Sequence, residues 1–381
     1  MNIALIDADL LDGGTRHPNL ALLKMSGWHK AQGNTVRLIT NYDQLEPDLF
    51  SNGAEYYDHI AVSKVFTKTK VPPVLQRLID SGKASIGGTG FFETGGPVLP
   101  HEVEHHMPDY HLYDEYIASH PDGHWDDYQL ASIGFTTRGC FRKCPFCVNR
   151  HYDRVQRHAH VSEFLDPTRP RIYLWDDNFM AAGEKIWNEV MDELQATGKR
   201  FQFRQGLDVR LMTHKKAARL AASKYHGDYI FAFDHIDPPT VKATMRGLHT
   251  WREHTNKSTK VYVLCGFDSQ DEQDIFNIFY RLELLNTVGC IPYIMRHENY
   301  NKSPYKRLII QIARWCNQPA LYKKKSFMEY LTMPNNQTAL QAAQHFISEH
   351  PQFADKFFNM KYTACHQADQ LNQSSIVNSQ Y

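Results

Sequence analysis

The chain has 381 residues, 42% of them hydrophobic, and its 42 Lys plus Arg are balanced by 42 Asp plus Glu. That length fits two or three domains with a substantial core, and the even charge gives no global field for nucleic acid or an anionic membrane. No run nears the ~20 consecutive apolar residues of a membrane span, so no membrane association is expected.

Asn2–Asp7 reads as a short apolar strand. Residues 1–12 carry neither a basic segment nor a small-residue cleavage site, which argues against a secretory leader. Seven cysteines, three of them close together, argue for a reducing compartment over a disulfide framework, and so for a cytoplasmic protein. A polar loop, Asp12-Gly13-Gly14-Thr15-Arg16-His17, follows the strand. Pro18 opens a helical pattern in Leu20, Leu22, Leu23, Met25 and Trp28 that Gly33 ends. Further strands are predicted at 35–40, 59–65 and 83–86, with a helix over 73–81. Strands alternating with helices imply a parallel sheet, here a Rossmann-like α/β domain over residues 1–115. Its loop Gly87-Gly88-Thr89-Gly90 falls at the carboxyl end of a strand, where open α/β sheets place ligands.

Residues 97–128, rich in His, Asp, Tyr and Pro, read as a solvated segment between domains. Within them His101-Glu102-Val103-Glu104-His105 matches H-E-x-x-H, which on a buried helix would set two zinc ligands on one face. Pro100 and Pro108 leave it under two turns, and its flanks are polar, so a zinc hydrolase is not expected.

Gly139-Cys140-Phe141-Arg142-Lys143-Cys144-Pro145-Phe146-Cys147 follows an apolar run, 133–137, that reads as a strand. The spacing C-x3-C-x2-C aims three thiolates at one place, and soft sulfur suits iron–sulfur clusters or zinc. Three ligands leave one iron of a four-iron cubane open to a substrate. A structural zinc site completed by His151 or His158 is the alternative, though no second short Cys or His pair accompanies it. Chance spacing among the cysteines is the third reading.

The stretch resembles the signature of the radical S-adenosylmethionine (SAM) superfamily, down to the aromatic Phe146 before the last cysteine. The resemblance implies that Cys140, Cys144 and Cys147 hold a 4Fe–4S cluster whose open iron binds SAM by its amino and carboxylate groups. Reductive cleavage would then give methionine and a 5′-deoxyadenosyl radical, with Phe146 against the adenine. It also implies an electron donor such as flavodoxin or ferredoxin. No cysteine precedes Cys140, so the second cluster of methylthiotransferases has no ligands here. A Rossmann-like domain ahead of such a core resembles the cobalamin-binding architecture of many members, but D-x-H-x-x-G is missing. Bound cobalamin and a domain that has kept only the fold both stay open.

After the cysteines, strands at 171–175, 201–205, 229–233, 261–267 and 290–295 alternate with helices at 184–197, 214–225, 240–254 and 271–288. With 133–137 they make six strands, as in the partial (β/α) barrel of a radical SAM core, assigned to residues 116–300. Functional residues of such barrels sit at carboxyl ends of strands. The second strand ends in Asp176-Asp177-Asn178-Phe179, where the resemblance places the grip on the SAM amino group; an ordinary helix N-cap cluster is the alternative. The third ends in Arg204, Asp208 and Arg210, suited to the SAM carboxylate and ribose, with the inward-facing members left open by register. Asp234-His235 and Arg296-His297 end the fourth and sixth. The fifth ends in Cys265-Gly266-Phe267-Asp268, loosely like an adenine-binding segment, with Gly266 allowing close backbone approach. Cys265 and Cys290 read as buried.

Residues 301–381 are expected to form a helical extension with a flexible Asn/Gln/Ser-rich tail after Ala368. Lys306, Arg307, Arg314 and Lys323-Lys324-Lys325 alternate with Tyr305, Trp315, Tyr322 and Phe327, residue types that stack on bases, although a solvated helix face packing on the barrel is the favoured reading in a chain of even charge. The sequence therefore points to a radical SAM enzyme acting on a small molecule, peptide or nucleic acid, with no catalytic residue assigned. Cobalamin-dependent radical methylation and a non-catalytic iron–sulfur or zinc protein are the alternatives.

Overall fold

The computed structural model describes residues 1–49 and 51–363. The chain is α/β and divides into two compact units, Met1–Asp177 with Ala182–Phe201, and Asn178–Ala181 with the described residues from Gln202 onward.

The first unit opens with β1 (Asn2–Asp7), which is flanked by β2 (Thr35–Leu38) and β3 (His59–Ser63), with β4 (Ala84–Gly87) beyond. The four strands are parallel, in the order β2-β1-β3-β4. A central parallel strand is covered on both faces, so it reads as an unbroken apolar run. Alternate residues of β1 separate accordingly: Ile3 and Leu5 join one cluster with Leu22, Leu23 and Leu38, while Ala4 and Ile6 join another with Ile60, Val62 and Leu75. The helix Leu20–Ala31 starts at Asn19, whose side chain accepts from the Leu22 N–H, and ends just before Gly33, at φ 74°.

Residues 97–128 are exposed in part, as at 118–124, but they are not only a solvated segment. They form short helices at His101–Glu104, Asp114–Ser119 and Asp126–Leu130, and they place Tyr110, Leu112, Tyr113, Tyr116, Ile117 and Tyr128 in the cluster that holds Ile3 and Leu5. Tyrosine explains the difference, because its ring is a large apolar body once the hydroxyl finds a partner. Tyr113 donates to Asp7 (2.8 Å) and Tyr110 to the Phe164 carbonyl (2.7 Å).

β5 (Ala131–Gly134) is shorter than the expected strand. The chain then turns into β6 (Thr137–Arg138), which pairs antiparallel with β7 (Gln156–Arg157), so the cysteines lie on the loop of a two-residue ribbon. β8 (Arg171–Leu174) is parallel to β5, and β9 (Arg200–Phe203) completes the sheet order β5-β8-β9. Between them runs Glu184–Ala196, buried through Trp187, Val190, Met191 and Leu194 at helical spacing.

In the second unit β10 (Tyr229–Ala232), β11 (Thr259–Cys265) and β12 (Ile291–Arg296) form a parallel sheet in that order. A parallel bridge sets Leu207 beside Phe231. The helices His214–Ala222, Pro238–His254 and Glu272–Thr287 alternate with these strands. All six expected core strands form, in two three-stranded sheets.

The C-terminal helices Lys306–Cys316, Phe327–Leu331 and Gln337–Glu349 also belong to this unit. Trp315, Tyr322 and Phe327 are buried, with the Trp315 indole donating to the Lys325 carbonyl (2.9 Å) and the Tyr322 hydroxyl to Asn286 (2.9 Å). These three rings are core, not exposed faces for bases. The tail after Ala368 lies outside the described residues. No helix among the described residues is long and apolar enough to cross a membrane.

Candidate functional site

The described cysteines form no disulfide, and they separate by environment. Cys265, Cys290 and Cys316 are buried; burial pushes the Cys265 thiol up to about 12 and raises Cys316 as well. Such thiols are inert. Cys140, Cys144 and Cys147 are each partly exposed on the ribbon loop. Gly139 begins it at φ 98°, and a Cβ there would stand 2.3 Å from the Arg154 carbonyl oxygen, so only glycine fits. The Cys147 N–H donates to the Cys144 carbonyl (3.0 Å), tightening the turn. Two backbone donors meet sulfur: Arg142 N–H to Cys140 Sγ (3.3 Å) and Asn149 N–H to Cys147 Sγ (3.4 Å). Backbone donors to sulfur tune a cluster held by it. The donor set thus fits a three-thiolate cluster. Among the described residues no group of three or more His, Cys, Asp or Glu is placed to hold a single metal ion. His151, named as a zinc ligand, faces the Val148 carbonyl with Nδ1 (2.9 Å), and His158 faces Glu104 with Nε2 (3.0 Å).

The aspartates after β8 have different surroundings. The Asp176 carboxylate is buried and accepts from Thr136 N–H (3.1 Å) and Oγ1 (2.6 Å) and from Thr137 N–H and Oγ1 (both 2.6 Å). Burial raises its pKa against those four donors. A carboxylate has about four acceptor positions, so Asp176 is saturated and fixes the start of β6. Asp177 accepts from Gly139 N–H (2.7 Å) and Asn149 Nδ2 (2.9 Å) and pairs with Arg138 Nε (3.2 Å). Phe146 is partly exposed.

Asn178 begins the second unit and is buried. There Asp208 accepts from Arg210 Nε (2.6 Å), so these two predicted residues pair with each other, while Arg204 donates to Gln202 (3.0 Å). Gly266, at φ 74°, donates its N–H to Asp274 (2.8 Å); a Cβ there would lie 2.5 Å from that of Tyr300. The close approach that requires this glycine comes from the chain itself. Sequence reasoning missed Asp274 and Arg281, two turns apart on one helix face and both buried. Burial pushes Asp274 up to about 6, against the Gly266 N–H and the Arg281 charge. Arg281 Nη1 donates to the Phe233 (3.1 Å) and Asp234 (3.0 Å) carbonyls. The spacing of Asp274 and Arg281 in an otherwise apolar helix pattern was the available signal.

At the carboxyl edge of the N-terminal sheet, Gly90 donates to the Lys64 carbonyl (2.8 Å), and a Cβ on Gly88 would stand 2.3 Å from that same oxygen. In the crevice between β1 and β3, Tyr113 donates to Asp7, the Asn19 N–H donates to the Tyr113 hydroxyl (3.1 Å), and Asn19 Nδ2 donates to Ser63 (2.7 Å). These polar groups are matched to one another. The H-E-x-x-H segment is likewise engaged: Glu104 accepts from Lys24 (2.7 Å) and meets His158, and His105 meets Glu163 (2.6 Å).

No family model matches the chain, and no curated protein does. Among solved structures, the cobalamin-dependent S-adenosylmethionine radical enzyme OxsB with aqua-cobalamin bound is 14% identical, with a TM-score of 0.34. Its apo, selenomethionine-labelled form is 14% identical, with a TM-score of 0.36. In both, 77% of this chain covers 49% of that one, so the chain spans about half the length of the structures it matches. A likeness at this level carries no functional weight of its own.

Proposed function

We propose that this protein is a radical SAM enzyme that holds a four-iron cluster on Cys140, Cys144 and Cys147. One observation carries the reading: the three cysteines at C-x3-C-x2-C spacing share one partly exposed loop with N–H donors at two sulfurs, while the other described cysteines are buried. Loaded, such a site supplies the electron that cleaves SAM to methionine and a 5′-deoxyadenosyl radical. The chain's own part is to keep three thiolates available, orient SAM and admit a substrate. Asp177, which accepts from Gly139 and Asn149 and pairs with Arg138, is assigned to the SAM ammonium on the superfamily resemblance, with Asn178 beside it in sequence. Asp176, saturated by the threonines, serves as a positioning residue. Phe146 is assigned to the adenine, and Arg204, Asp208, Arg210 and Gly266 to the rest of SAM, on the superfamily resemblance. A flavodoxin- or ferredoxin-like protein is the proposed electron donor.

The test is anaerobic iron reconstitution, then dithionite reduction with SAM and chromatography for 5′-deoxyadenosine. The proposal expects product from the wild type and background levels from Cys144→Ala. A verified four-iron cluster that yields no product, and whose electron paramagnetic resonance spectrum does not respond to SAM, would overturn it.

A further inference from the structure

Asp177 does more than end a strand. Its carboxylate holds both ends of the cysteine loop: the Gly139 N–H, one residue before Cys140, and the Asn149 amide, two residues after Cys147. Asn149 also sends its backbone N–H to Cys147 Sγ, and Arg138, next to Gly139, pairs with the same carboxylate. The Asp177 side chain is only 8% exposed, so these contacts are shielded from water and worth more than surface ones. A nine-residue loop from Gly139 to Cys147 has little regular structure of its own. Tying its two ends to one rigid point removes most of its freedom before any metal arrives.

We infer that Asp177 and Asn149 form a positioning pair that holds the cysteine loop in a cluster-ready shape and aims the Asn149 N–H at Cys147. The function of that shape rests on the radical SAM reading, but the pair itself is a property of the metal-free chain. Asp177 thereby acts on the loop in addition to any contact with SAM.

The test uses the full chain, reduced and metal-free, with timed alkylation by iodoacetamide and mass spectrometry at each cysteine. The rates are compared at a pH high enough for them to plateau, so that they report access to sulfur and not its ionisation. In Asn149→Asp two carboxylates face each other. The inference expects Cys140 and Cys147 to react on the order of tenfold faster than in wild type, as suits the loss of a charge-assisted hydrogen bond that limits local opening. The buried Cys265, Cys290 and Cys316 should stay protected, which reports that the fold is intact. Asp177→Asn should give a smaller acceleration. The double substitution Asp177→Asn with Asn149→Asp restores a donor opposite an acceptor and should return both rates toward wild type. Iron bound per chain after reconstitution should fall and recover in the same order.

Unchanged loop reactivity in Asn149→Asp, or a double variant no better than the single ones, overturns the inference. If Asn149→Asp exposes the buried cysteines, Asn149→Ala, a milder change at a partly exposed position, gives the decisive comparison. A wild type that binds no iron removes the proposed function and leaves the alkylation result to judge the pair.

Discussion

The loop after β4 and the loop between β6 and β7 both contain glycines that a side chain would spoil, and both look like ligand loops on paper. In the first, Gly88 and Gly90 close against the Lys64 backbone, and the neighbouring crevice is filled by Asp7, Tyr113, Asn19 and Ser63 bonding among themselves. In the second, Gly139 closes against Arg154 in the same manner, but the loop it starts carries three partly exposed thiols with donors aimed at sulfur. Glycine spacing reports how closely two backbones approach. Only the side chains left facing outward report what a loop is for.

That contrast can be broken most forcefully at Tyr113, which is 2% exposed. Tyr113→Ala should lower unfolding free energy in urea by about 3–5 kcal/mol through the cavity it leaves. Stability near wild type would mean that the crevice does not depend on its filling. Next comes the charge it covers. Burial holds Asp7 at about 6 instead of its ordinary 3.8, against the hydrogen bond from Tyr113. The folded chain therefore binds this proton more tightly than the unfolded chain. The contribution is present below about pH 4, declines as pH rises to about 6 and stays lost above. A shift of that size corresponds to roughly 3 kcal/mol. In Asp7→Asn, the loss of stability from pH 4 to pH 7 should shrink by about that amount relative to wild type; an unaltered difference would mean that Asp7 is ionised in the fold.

Gly139→Ala probes the other loop. Its positive φ and the Arg154 oxygen should cost ~1–3 kcal/mol locally. The effect should appear as reduced iron uptake with little change in the global urea midpoint. Normal uptake would show that the loop reaches its metal-binding shape by another route. The smallest effect is expected at Gly87, where a Cβ meets nothing within 4 Å and φ is not positive. Gly87→Ala should change stability by less than ~0.5 kcal/mol, and a larger loss would point to an occupant above the sheet edge.

The parallel strands were legible because covered strands such as Ile3-Ala4-Leu5-Ile6 are unbroken apolar runs. The cysteine loop was legible because sulfur at short spacing has few uses. The segment at 97–128 was not, since its apolar content is tyrosine rings whose partners are remote; Tyr113 and Asp7 stand 106 residues apart. The β6–β7 ribbon is too short for periodicity to reveal. Asp176 and Asp177 read as one motif, yet the structure gives one to the threonines and the other to the cysteine loop. Gly266 showed the need for close approach but not that Tyr300 makes it.

The division of the cysteines bears on how this protein ages in air. Oxidants attack accessible thiolates first, and the early products can be reduced again. Damage should therefore begin on the 140–147 loop and spare Cys265, Cys290 and Cys316, whose burial keeps them as unreactive thiols. If the proposed cluster sits on that loop, oxygen would reach its ligands first, and reduction would restore them while the buried cysteines and the core around them stay intact.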